Sequence, residues 1–119
     1  MSNTDPRSLL PLTHLSYQVL LALADVDRHG YGIIKEVSAR TDGEMALETG
    51  TLYTALKRLK DEKLIRIVER GERPPDEDDR RRIYRLTPFG KKVLAAESRR
   101  LARLVGVAME KRVLPATSK

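Results

Sequence analysis

The last third of the chain constrains the fold most. Thr87-Pro88 is a helix start with a mechanism. Thr offers a side-chain oxygen to the first-turn N–H groups, and Pro gives up a donor that has no partner there. No further proline occurs until Pro115, so the spacing predicts a helix running to about Val113. Such a helix has roughly 26 residues and is about 39 Å long, more than a small domain needs for its own core. Leu94, Leu101, Val105 and Ala108 form an apolar stripe along it, widened by Leu104. Ser98 and Arg112 interrupt the stripe, so the heptad pattern is imperfect. A lone helix would leave this stripe exposed. The expectation is a dimerisation helix with contacts from Leu94, Leu101, Leu104, Val105, Ala108 and Met109.

The preceding residues read as three helices and a hairpin. The first twelve contain Pro6 and Pro11 and read as an extended arm. Ser16 is placed to cap a short helix carrying Tyr17, Leu20, Leu23 and Ala24. The polar stretch from Asp25 to Gly30 suits a turn. In the next helix Tyr31, Ile34, Val37 and Ser38 share a face. A third helix is predicted from Thr49 to Lys63, with Leu52, Ala55, Leu56 and Leu59 on one stripe. Its opposite face holds Thr51, Thr54, Lys57, Arg58 and Asp61, and Tyr53 and Lys60 lie on a flank. Leu64 to Arg70 and Arg82 to Leu86 read as the two strands of a hairpin. Its long tip contains Pro74-Pro75 and the acidic run Asp76 to Asp79.

Composition excludes several chemistries. With 119 residues there is room for one ordinary domain but not two full ones. There is no Cys, which removes disulfides, thiolate metal sites and Cys nucleophiles. With only 2 His, a zinc site would have to lean on carboxylates. No nucleophile–base pair, Gly-rich phosphate loop or metal set appears, so neither an enzyme nor a cofactor is expected. No stretch approaches the ~20 apolar residues of a membrane span. The first residues lack the pattern of a secretory signal, and a cytoplasmic protein is expected.

The net charge of +6 is unevenly placed. Residues 1–48 carry 4 basic and 7 acidic side chains, residues 49–70 carry 6 and 3, residues 71–86 carry 5 and 5, and residues 87–119 carry 8 and 2. An acidic first part and a basic remainder suit a partner with negative charge, most often nucleic acid.

Three helices followed by a two-stranded hairpin make a winged helix-turn-helix, here in a mainly α (α+β) chain with a long C-terminal helix. The major groove of DNA admits one helix, whose outward side chains meet base edges. The expected DNA-contacting residues are Thr49, Thr51, Tyr53, Thr54, Lys57 and Arg58 of the third helix, with Arg80, Arg81 and Arg82 of the wing. Arg58 suits two-point pairing with guanine, Lys57 suits phosphate, and wing arginines suit a minor groove. Against this, Asp76 to Asp79 would repel phosphate unless they face away or pair with the Arg cluster. Four adjacent acids without a Gly turn are not a calcium loop, and no metal is expected there.

Three segments make the reading more specific. HGYGIIKEV at His29 to Val37, GTLYTALKRLKDEKLI at Gly50 to Ile65 and RRRIYRLTPFGKKVL at Arg80 to Leu94 together resemble the PadR family of bacterial transcriptional regulators. The resemblance covers about Leu12 to Ala96, and the short C-terminal part is similar to the compact subfamily with one such helix. It implies a homodimeric winged-helix repressor on an inverted-repeat operator. The recognition-helix start then falls on Gly50, Thr51, Leu52 and Tyr53, and the wing's return strand on Tyr84 and Leu86. The family commonly has Pro where this chain has Thr54, which leaves a backbone donor and a hydroxyl near DNA. Some relatives stack drug-like ligands on a Trp in the dimer interface, and this chain has no Trp.

The expected organisation is an arm (1–12), a DNA-binding winged helix (13–86), a dimerisation helix (87–114) and a tail (115–119). The expected partners are double-stranded DNA, a second copy and a small-molecule effector, with no membrane. An effector would act by favouring one spacing of the two recognition helices. A winged-helix protein-interaction module that binds no DNA is the alternative, supported by the acidic wing. Tyr17, Tyr31 and Tyr84 are read as packing residues with the hydroxyl at the rim, and His29 as a turn residue.

Overall fold

The computed structural model describes residues 5–68 and 82–115. A 3-10 turn, Pro6–Leu9, precedes α1 (His14–Ala22), β1 (Arg28–His29), α2 (Gly30–Arg40), α3 (Thr49–Asp61), β2 (Ile65–Val68), β3 (Ile83–Leu86) and α4 (Pro88–Glu110). The order helix, helix, helix, strand, strand, long helix is the one expected. The strands form one antiparallel sheet in the order β1-β3-β2.

Helix starts follow side-chain chemistry, with one change of residue. Thr13, not Ser16, caps α1: its Oγ1 accepts the Ser16 N–H at 3.0 Å. Thr13 has the extended backbone that a cap requires, while Ser16 is already inside the helix and buried. Thr87 caps α4 as expected, accepting the Gly90 N–H at 2.8 Å. The Thr87 hydroxyl also reaches the Lys63 carbonyl at 2.8 Å, and its N–H donates to the Leu64 carbonyl at 3.0 Å. These bonds fasten the start of α4 to the start of β2. Gly90 completes the junction, because a methyl placed there would lie 2.9 Å from the Leu64 carbonyl carbon and nearer still to its oxygen.

Other boundaries differ for local reasons. α3 ends at Asp61 because Lys63 turns to a φ of 68°. α4 ends at Glu110, and Arg112 has a φ of 64°. That left-handed backbone does not continue a helix. The stretch read as a turn before Gly30 supplies β1, whose Arg28 and His29 sit opposite Tyr84 and Ile83. It covers the free edge of β3, so the wing is joined by a third short strand. The N-terminal residues are not simply extended. Asp5 accepts the Arg7 N–H at 2.9 Å to start the 3-10 turn, which packs against α4.

The core lies where the helices meet the inner face of the sheet. Val19, Leu20, Ile33, Val37, Leu52, Leu56, Leu59, Leu64, Ile65 and Val93 are all at or below 2% exposure. The α3 stripe of Leu52, Ala55, Leu56 and Leu59 is the buried face as expected. In α2 the buried face is Gly30, Ile33 and Val37, so the predicted face is displaced. Tyr31 is therefore corrected from packing residue to surface residue: it is 65% exposed, with the Lys35 ammonium 5.6 Å from its ring. Tyr84 is buried, and Tyr17 packs on the core with its Oη 2.7 Å from Ser98 Oγ.

One carboxylate is buried with these apolar groups. Glu97 is 1% exposed; its oxygens accept Arg100 Nε at 2.7 Å, Arg100 Nη2 at 3.0 Å and the Leu12 N–H at 3.1 Å. It therefore ties the N-terminal segment to α4. The Arg100 guanidinium bonds hold its carboxyl below the usual glutamate range, and the Leu12 N–H adds to this against the cost of burial. A carboxyl depressed on folding contributes stability that is present above the unfolded value and lost as pH falls through the folded one. The urea midpoint of the native chain is expected to drop as pH falls below about 4.5, the ordinary glutamate value. Glu97→Gln should be destabilised at pH 7, and its deficit against the native chain should shrink in acid. A deficit that is constant with pH would show that the charge is not what Glu97 contributes.

Candidate nucleic-acid interface

α3 presents one face to the core and the other to solvent. Thr49, Thr51, Thr54, Lys57 and Arg58 are all exposed. Its N-cap residue, Glu48, makes no side-chain capping bond, so the first turn is open on its outer side. Lys57 Nζ lies 3.1 Å from Asp61, and Arg58 Nε lies 3.6 Å from Glu62. Both are pairs one helical turn apart whose cations are exposed, worth only a few tenths of a kcal/mol, and they yield readily to a phosphate.

Tyr53 sits differently from the other predicted contacts. Its ring packs against the core, and its hydroxyl oxygen is buried. Gly30 explains the placement, since a methyl there would lie 2.8 Å from Tyr53 Cζ and nearer still to the oxygen. The glycine that follows His29 and the tyrosine of the Gly50–Tyr53 run are thus two halves of one α2–α3 contact. This contact packs the Tyr53 ring between α2 and α3, the packing role that its flank position allowed beside a phosphate contact.

Between α3 and the sheet lies a second element of the surface. A groove of about 300 Å³ is lined by Tyr53, Leu56, Lys57 and Lys60 of α3 and by Ile67, Arg82 and Tyr84 of the wing. Strand alternation places Ile67 and Tyr84, which are cross-strand partners, on the face toward α3. Lys57 and Arg82, one from α3 and one from the wing, line the same groove. Arg80, Arg81 and the acidic run Asp76 to Asp79 lie outside the described residues. Lys60, on a flank of α3 by its spacing, also lines this groove. The signal for it was present: Tyr53, Lys57 and Lys60 recur at i, i+4 and i+7 and so share one edge of the helix.

The predicted dimer residues divide into two groups. Leu94 is buried in the core of its own chain. Farther along α4, Leu104 and Val105 are 54% and 45% exposed, and Leu101, Ala108 and Met109 are half-buried. The helix face that buries Gly90, Val93, Leu94 and Glu97 continues as this uncovered ridge. Among the described residues, no group of three or more His, Asp or Glu side chains is arranged to hold a metal ion. None of the described helices is long and apolar enough to cross a membrane.

Comparison with known proteins agrees with this geometry. A family model described as the transcriptional regulator PadR-like family matches residues 19–96. The chain is 40% identical over 98 residues to an uncharacterised 37.1 kDa protein of a Streptomyces fradiae transposon, matching 80% of this chain but 25% of that protein. A transcriptional regulator from Clostridium thermocellum superposes with a TM-score of 0.67 at 26% identity, covering 96% of this chain and 99% of that one. A PadR family transcription regulator from Clostridium difficile gives 0.64 at 29% identity, covering 85% and 99%. With its winged-helix sheet, its exposed α3 face and a family match over most of its length, the chain belongs to the PadR-like family of transcriptional regulators.

Proposed function

We propose that this regulator acts as a homodimeric repressor that reads an inverted-repeat operator with two copies of α3. The observation that carries the reading is the exposed face of Thr51, Thr54, Lys57 and Arg58, flanked by the cationic groove of Lys60 and Arg82. Thr51, Thr54 and Arg58 have the reach for base edges, and Lys57, Lys60 and Arg82 suit phosphates on either side. In this reading residues 13–86 form the DNA-binding unit and residues 87–114 the dimerisation helix. The uncovered ridge of α4 supports a dimer, because an apolar stripe of this kind is stabilised by a partner helix. Selection of bound fragments from genomic DNA is expected to return half-sites about one helical turn apart, 10–10.5 base pairs centre to centre. Recovery of no enriched fragment at low salt would overturn it.

The dimer has its own test. Leu104→Glu with Val105→Glu is expected to convert a dimer at micromolar concentration to a monomer in sedimentation. Both side chains are exposed within one chain, so the variant should keep its helical circular dichroism. A double variant that still sediments as a dimer would place the interface elsewhere.

A further inference from the structure

The α4 stripe is interrupted at Ser98, where a heptad pattern would place an apolar residue. In the fold, Ser98 Oγ lies 2.7 Å from Tyr17 Oη of α1. Its neighbour Glu97 accepts the Leu12 N–H at 3.1 Å. Two adjacent residues of α4 are thus bonded to two different parts of the domain body. Successive residues stand about 100° apart around a helix, so these bonds leave α4 on opposite sides of the line through Leu94 and Leu101. Arg100 holds the Glu97 carboxylate in position: its Nε donates to Oε1 at 2.7 Å and its Nη2 to Oε2 at 3.0 Å. Oε2 is the oxygen that also accepts the Leu12 N–H.

The place of these bonds along the helix gives them leverage. Glu97 is the last buried residue of α4, and beyond it Leu104 and Val105 stand exposed. A first attachment lies at the helix start, where Thr87 bonds the Leu64 carbonyl and Gly90 packs against it. The two attachments are about 10–15 Å apart along the axis. A rod held at one point can swing, and a rod held at two points has a direction. From Gly90 to Leu104 the axis runs about 21 Å, so a tilt of about 10° on the first attachment carries the ridge about 4 Å. That exceeds the ~3.4 Å step between base pairs. On the body side, α1 places Leu20 in the cluster that holds Leu52 and Leu56 of α3, so the bond to Tyr17 ties the direction of α4 to that of α3.

We infer that Tyr17, Glu97 and Ser98 are positioning residues that fix the separation of the two α3 helices in the dimer, and with it the half-site spacing that the regulator accepts. This role presupposes the homodimer proposed above, and the test separates the two. The chain has no Cys, so Thr51→Cys puts a single nitroxide label on each α3. The dipolar distance distribution between the labels, measured on the full chain without DNA, then reads the separation directly. The otherwise native chain is expected to give one narrow distance. Tyr17→Phe with Glu97→Ala should broaden the distribution at least twofold. Ser98→Ala loses only one hydroxyl and gains helix propensity, so it keeps the fold while still broadening the distribution. On DNA, the unlabelled double variant should lose at least fivefold of its preference between operators whose half-sites differ in spacing by one base pair. That preference is a ratio of affinities, so the added charge of Glu97→Ala cancels. A lowered urea midpoint with an unchanged distance distribution and spacing preference would overturn the inference and leave these residues a stabilising role alone. No dipolar signal from the labelled native chain would overturn the dimer, and the positioning role with it.

Discussion

Replacing Lys57 and Arg58 together with alanine will lower operator affinity by about two orders of magnitude at fixed salt, since each such contact is worth about 1–3 kcal/mol. The loss should be accompanied by a shallower dependence of affinity on salt, because each phosphate contact removed releases fewer counterions. Stability should change little. The two side chains are exposed, and among the described residues they pair with Asp61 and Glu62 on the same helix surface. Titration of a labelled operator at several salt concentrations, with sedimentation as the control for the dimer, measures both effects. Retained affinity and an unchanged salt slope would favour the alternative of a winged-helix module that docks on protein. Lys60→Ala makes a finer distinction. It should weaken binding to all sequences about equally, as a phosphate contact does, whereas Arg58→Ala should relax the choice of base at one position.

The largest stability effect is expected from Gly90→Ala, at about 2–3 kcal/mol of destabilisation, because the added methyl meets backbone and not a movable side chain. The Leu64 carbonyl that it strikes is also the acceptor for the Thr87 N–H and hydroxyl. Moving that carbonyl away disturbs the junction of β2, β3 and α4 at one point. Gly106→Ala is the matched control on the same helix. Among the described residues, nothing beyond the local helix backbone lies within 4 Å of a methyl placed there, so alanine should stabilise by about 0.5–1 kcal/mol through lower chain entropy. Urea unfolding of both variants checks the pair. Equal effects at the two glycines would mean that helix propensity, and not the contact with Leu64, governs Gly90.

Much of this architecture is legible in the residues because local chemistry dictates it. The α3 stripe, the Thr87-Pro88 start and the two strand segments follow from periodicity, capping and β-branching, none of which needs a distant partner. Where those rules compete, local chemistry does not decide the outcome. Thr13 and Ser16 both have capping side chains, and only the packing of Ser16 inside α1 decides between them. Tyr31 shares a helical face with Val37 by spacing, yet Ile33 fills the core and turns the tyrosine outward.

The long helix marks the division most clearly. Its start, its approximate length and its apolar stripe are properties of residues 87–114 alone. Its two roles are not. The stripe read from the sequence divides into a buried part at Leu94, beside Val93 and Glu97, and an uncovered ridge at Leu104 and Val105, because the domain body ends partway along the helix. The basic surplus behaves in the same way. The residues set its size, but where strands and helices meet determines which cations gather. Chain alternation puts Arg66 and Arg85 on the back of the wing, the helix repeat puts Lys92, Arg99 and Arg103 opposite them, and the α3–wing contact brings Lys60 to Arg82. These are juxtapositions of residues far apart in the chain, and no local rule contains them.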